Sequence, residues 1–389
     1  MVVSFALLLA GCSSGGHNIT GDSLSEMDPV TLRYADYTGV SSAGPFRSFA
    51  KEVAERTDGK ITFDEYWGGS LLDGAEMAQG VRGGIADMGM FTPSYYPSEF
   101  PMTDWVTELA SMVESEYPLG ILQGFAANAQ FAMTDPLINS QFEEQGMKQL
   151  FNWSPISNYD LACKEPVRNL DEARGKRVRS AGGFIDGELE ALGMVPVSLP
   201  TGEIYEGIQR GVIDCTVASA KIMIALSLWE VATYHIKTPL SGYTQYVVIN
   251  DDLWNSLPLD AQQAIWDSAY TWFDGYLRAE GVILNQRLQV EGPEHGVQFF
   301  DTDPDMSEAV KAYQRRTVES LPSEAPDGLA EPQADIDRYT SLMAEWKERL
   351  IGLGYDESTA LPDNPKTVDL DLEPYREAVL KNVFDPMRP

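Results

Sequence analysis

Arg174, Lys176, Arg177 and Arg179 fall within one short stretch, ARGKRVRSAGGF, residues 173–184. The clustering is out of keeping with the rest of the chain, where 28 Lys and Arg face 59 Asp and Glu for a formal net charge of −31. A guanidinium can hold a carboxylate through two parallel hydrogen bonds, so the chemistry this cluster offers is anion binding. Lys176 to Arg179 alternates as a strand does, and Gly182-Gly183 turns the chain into the helical pattern FIDGELEALG. The carboxyl end of such a strand, facing the next helix N-terminus, is where α/β proteins bind anions. Arg179 lies nearest that end and is the candidate grip, the alternative being a structural salt bridge. Arg177 shares its face, whereas Arg174 and Lys176 lie toward the strand's start and read as surface.

Other chemistry is missing. The three histidines, His17, His235 and His295, have no metal-ligand spacing and none stands beside a cysteine. Neither a phosphate loop nor a dinucleotide fingerprint occurs, so no cofactor is expected. The literal Gly-x-Ser-x-Gly match at Gly11–Gly15 precedes any strand and is not a nucleophile elbow. Asp301, Asp303 and Asp305 begin like a calcium loop, but Met306 stands where glycine is needed and Ala312 where the closing glutamate belongs. Those aspartates read as a solvated turn, and no metal is expected. The acidity argues against nucleic acid and against adhesion to anionic lipid. By its residues the chain is a binder, not an enzyme.

The elements that must position Arg179 alternate between strand and helix, which argues an α/β fold with largely parallel sheets. At 389 residues two lobes are expected. Phe46, Phe49, Ala50 and Val53 mark an amphipathic helix, and KITFDEYW a strand ending at Gly68-Gly69. GVRGGIAD (80–87) and GIQRGVID (207–214) share one pattern, each after a helical stretch and before a short apolar strand. If each half repeats that unit, a ligand belongs where strand ends of both halves face each other. Asp252 to about Gln289 is long and periodic, one helix or two with a break. Past residue 320 the chain reads as an appended tail wrapping the body.

Near the start, a short apolar run ends in Leu9-Ala10-Gly11-Cys12 and is too short to span a bilayer. It resembles a bacterial lipoprotein signal, in which Cys12 is lipidated; the alternative is an ordinary secretion signal. That leaves Cys163 and Cys215, an even number in an exported protein. They either form a disulfide closing a loop of about 50 residues or remain two buried thiols.

In order and spacing, SFAKEVAERTDGKITFDEYWGGSL, GVRGGIADMGMF, EPVRNLDEARGKRVRS, EALGMVPVSLPTGEIYEGIQRGVIDC and WNSLPLDAQQAIWDSA resemble the solute-binding proteins of TRAP transporters, dicarboxylate-binding type. The resemblance implies two α/β lobes joined by crossing strands and a long helix, closing on an organic acid that is passed to membrane permease subunits. It implies an extracytoplasmic location, with the membrane reached only through the lipid anchor. It also implies that Arg179 holds the substrate carboxylate and that Thr92 supplies a polar contact. Glu165 replaces a second arginine, and Ala218 replaces a hydrogen-bonding side chain for which Ser219 or Lys221 can compensate. Tyr37, Trp67, Phe91, Tyr95, Trp153 and Tyr243, near expected strand ends or loops, are candidate aromatic walls, favouring an acid with an apolar or aromatic body. The expected division is 1–12 signal, 13–28 tether, 29–155 with about 245–285 lobe I, 156–244 with about 286–320 lobe II, and 321–389 extension. Other functions open to such a chain are a receptor for a signalling system or a secreted enzyme acting on an anion.

Overall fold

The computed structural model describes residues 17–112, 118–153, 159–355 and 370–389. The apolar leader, Cys12 and residues 13–16 of the tether lie outside the described residues. One sheet contains β1 (Val30–Ala35), β2 (Ile61–Tyr66), β3 (Met88–Phe91) and β4 (Met147–Trp153). The other contains β5 (Tyr159–Cys163), β6 (Arg177–Ser180), β7 (Val195–Ser198), β8 (Cys215–Ala218), β9 (Tyr234–Leu240) and a later strand, β11 (Gln298–Asp301). Between β9 and β11 in sequence, β10 (Gln245–Asn250) crosses back to the first sheet. The orders are β2-β1-β3-β10-β4 and β11-β9-β5-β8-β6-β7. The pairing is mixed, because β10 runs antiparallel to β3 and β4, and β5 antiparallel to β8 and β9.

The repeated octapeptide is one structural unit built twice. In each copy a helix (Met77–Arg82, Ile204–Gln209) ends at a left-handed glycine, Gly84 or Gly211, and leads into β3 or β8. Gly80 O accepts from Ile85 N at 2.8 Å, and Gly207 O from Val212 N at 2.8 Å. The closing aspartates do the same work: Asp87 accepts from the backbone and guanidinium of Arg33 on β1, and Asp214 from those of Arg177 on β6. Arg177 is therefore a structural arginine of the second sheet. Since Arg33 matches Arg177, the partner of Arg179 in the first lobe is Ala35, so the guanidinium is present on one side only.

Cys163 and Cys215 face each other across antiparallel β5 and β8 and are joined by a disulfide. The long periodic segment breaks once, before Pro258, then runs as Leu259–Tyr276, a π-helical stretch Leu277–Ile283, and Leu284–Glu291. Wide π turns often mark functional positions. The tail packs on the first lobe. Helix Pro332–Gly352 lies along Leu119–Thr134, with Tyr339 donating to Asn128 Oδ1 (2.9 Å) and Trp346 to Gln130 Oε1 (2.7 Å).

Where β9 leaves the second sheet toward β10, Ser241 donates from its backbone and hydroxyl to Glu188, which also accepts from Gln314. Burial pushes the Glu188 carboxyl up from 4.5 to about 7 despite those donors. Asp104 and Glu108 move the same way, to about 6 and about 7, again chiefly by burial. The folded chain thus keeps protons that the unfolded chain has released above about pH 4.5. The stability that these three groups contribute is full below that value and falls as pH rises through about 7. Glu188 alone is worth on the order of 3 kcal/mol across the window. Melting temperature is expected to be higher at pH 5 than at pH 8, with a flatter profile in Glu188→Gln; a profile that rises over that range contradicts the assignment.

Candidate functional site

β6 ends at Ser180, and Gly182 and Gly183 follow with φ of 87° and 64°, a left-handed turn that side chains rarely tolerate. That turn lets helix Phe184–Ala191 start at once and leaves Arg179 at the strand's mouth. Arg179 is 5% exposed. Its Nε donates to Leu199 O (2.9 Å), and its Nη2 to Tyr95 Oη (3.1 Å) and Thr201 Oγ1 (3.2 Å). Among the described residues no carboxylate pairs with it, and its Nη1 has no acceptor. A buried, uncompensated guanidinium is costly unless an anion meets it.

Arg179 forms part of the wall of a cavity between the two sheets. Equivalent positions of the two repeats meet there. Tyr37 and Ala181 follow β1 and β6, while Thr92 and Ser219 follow β3 and β8. Tyr95 joins from the first lobe, and Tyr243 from the crossing segment between β9 and β10. Lys221 lines it too, but its Nζ is held by Glu280 at 2.6 Å. Burial pushes the hydroxyls of Tyr159 and Tyr243 upward, with the Arg179 charge opposing, so both remain neutral.

The other candidates lie elsewhere. Phe91 is fully buried against Tyr96 and Phe100, because β3 is covered on both faces. Trp67 packs edge-on to Tyr34 and Phe46 in the first lobe's aromatic cluster. Trp153 is stacked on Tyr276 behind the cavity and donates to Glu280 Oε2 at 3.3 Å. Glu165 is exposed and paired with Lys176 at 2.7 Å, and Arg174 lies 3.6 Å from Asp171. Ala218 is the last residue of β8 and is fully buried. The aromatic wall is thus made of tyrosines, whose hydroxyls join Thr38, Thr92, Thr201, Ser219 and Gln245.

Tyr159, Thr201, Gln245 and Glu280 were not foreseen. Thr201 opens a short helix just after β7, a strand-end signal that could have been read. Glu280 lies within a helical pattern, where nothing local distinguishes it. No described group of His, Cys, Asp and Glu could hold a metal ion.

The family model for bacterial extracellular solute-binding protein, family 7 (DctP), matches residues 41–322, which take in every strand of both sheets except β1. The chain belongs to that family. This family 7 solute-binding protein is 28% identical over 192 residues to a solute-binding protein of Albidiferax ferrireducens, covering 48% of this chain and 52% of that one. It is 22% identical over 335 residues to the 2,3-diketo-L-gulonate-binding periplasmic protein YiaO of Escherichia coli, covering 84% and 95%. Among solved structures, it superposes with a TM-score of 0.71 and 19% identity on a marine metagenome TRAP solute-binding protein in complex with pyroglutamate, covering 81% and 99%. The shared fold is the two-lobe one with sheets flanked by helices.

Proposed function

We propose that this solute-binding protein is the extracytoplasmic receptor of a TRAP-type transporter, taking an organic acid between its lobes and delivering it to the membrane permease subunits. The observation that carries the reading is Arg179, a buried guanidinium with no carboxylate partner among the described residues, at the wall of the interlobe cavity. The relatives support it, since one is named for binding a sugar acid and another holds pyroglutamate. The ligand carboxylate takes the free Nη1 edge of Arg179, and the surrounding hydroxyls take its polar body. Such a wall suits a compact polar acid better than one with an aromatic body. The lobes close on the ligand about the crossing strands and the long helix. Lipidation at Cys12 keeps the receptor at the membrane, and no described helix is long and apolar enough to cross one.

Denaturing extraction of protein purified from its native host, followed by mass spectrometry, tests the ligand class. An organic acid near equimolar amount, absent from Arg179→Ala, is the expected result. A neutral or cationic metabolite in its place would refute the reading. Loss of membrane association in Cys12→Ser is expected from the anchor, and unchanged fractionation speaks against it.

A further inference from the structure

Lys221 and Glu280 form an ion pair with both side chains 5% exposed, on the wall of the cavity that holds Arg179. A buried ion pair is a poor device for stability, since apolar residues of similar volume do as well or better. Its consequence lies in charge and hydrogen bonding. Lys221 is neutralised by Glu280, so among the described residues lining the cavity Arg179 is the one uncompensated charge, and with these residues the cavity balances a single negative charge. A second ligand carboxylate would find no free cation and would meet Glu280 itself.

Among the described lining residues Glu280 is also the one side chain that can only accept hydrogen bonds; tyrosine, threonine, serine and glutamine both donate and accept. A carboxylate has about four acceptor sites. Lys221 Nζ uses one at 2.6 Å on Oε1, and Trp153 Nε1 another at 3.3 Å on Oε2. No other described donor reaches these oxygens. The π-helical stretch Leu277–Ile283 presents this residue at the cavity, and the stacked rings of Trp153 and Tyr276 back it.

We propose that Glu280 determines specificity: it accepts a hydrogen bond from an N–H or O–H on the ligand, selecting a monocarboxylate with such a donor and rejecting dicarboxylates. Lys221 and Trp153 are its positioning residues. The inference rests on the reading of Arg179 as the carboxylate anchor.

Isothermal titration with matched acids tests it. 5-Oxoproline is compared with its N-methyl derivative, 2-hydroxyisovalerate with 2-methoxyisovalerate, and glutarate and succinate serve as dicarboxylates. The acid with the donor is expected to bind at least tenfold tighter than its methylated partner, and the dicarboxylates at least tenfold weaker than the best monocarboxylate. In Glu280→Leu/Lys221→Met, which keeps the cavity's net charge, the preference within each pair should shrink below threefold. Equal affinity within pairs in the wild-type protein, or a dicarboxylate as the tightest acid, would overturn the inference while Arg179-dependent binding leaves the carboxylate reading intact. A wild-type protein that binds no carboxylate overturns both.

Discussion

Arg179→Ala is expected to weaken binding of the organic acid by a factor of about 100 to 4,000, or beyond detection, as loss of one partner of a desolvated charge pair costs about 3–5 kcal/mol. Arg179→Lys should recover little, because an ammonium lacks the planar fork that holds both carboxylate oxygens. The unliganded variants separate this role from a structural one. Arg179 has hydrogen bonds to Tyr95, Thr201 and Leu199 but no ion pair among the described residues, so removing its charge should leave the melting temperature unchanged or raised. A structural salt-bridge arginine would lower it. Arg177→Ala supplies the contrast. It breaks the bonds to Asp214 and should cost stability, with little change in affinity for bound protein that remains folded. Titration calorimetry and melting curves on the two variants check both statements.

Removing the disulfide is expected to have the largest effect on stability. Cys163 and Cys215 lie 52 residues apart in sequence, and a cross-link of that span restricts the unfolded chain by about 4 kcal/mol. The consequence reaches the site. Cys215 pairs with Val178 in the β6–β8 ladder, and the next residue, Thr216, pairs with Arg179. The bridge therefore ties β5 to the strand that holds the anchor in register. In Cys163→Ala/Cys215→Ala the melting temperature should fall by roughly 5–10 °C. Ligand affinity should fall less than in Arg179→Ala. A double variant that melts within 1 °C of the parent would mean that the bridge contributes nothing.

Much of this architecture was legible because it is local. The helix-to-strand unit at 80–87 and 207–214 shows itself in eight residues, since a left-handed glycine and a closing aspartate each have a fixed place in the turn. Cysteine parity pointed to the pair that proved to be bridged. Arg179 could be singled out because strand ends and glycine turns are short-range features. The site's remaining members were not legible for the opposite reason. Lys221 and Glu280 are 59 residues apart, and only the packing of the long helix beside the second sheet brings them together. Whether an aromatic residue near a strand end faces cavity or core depends on what covers each face of the sheet. Phe91 and Trp153 face the interior and Trp67 packs half-buried against the first lobe's core, while Tyr37, Tyr95 and Tyr243 reach the cavity. The octapeptide shows how function departs from symmetry. Arg33 and Arg177 repeat, but two residues further on the first lobe has Ala35 and the second Arg179.

The most direct test of the central claim is the melting temperature of the protein without its first 12 residues, measured against a panel of monocarboxylates, dicarboxylates and sugar acids. A ligand at 100 times its Kd adds about 2.7 kcal/mol, a readily measured shift. The account predicts stabilisation by at least one carboxylate and none of that shift in Arg179→Ala. Stabilisation that survives the substitution would place the anion elsewhere and contradict the role given to the Arg179 guanidinium.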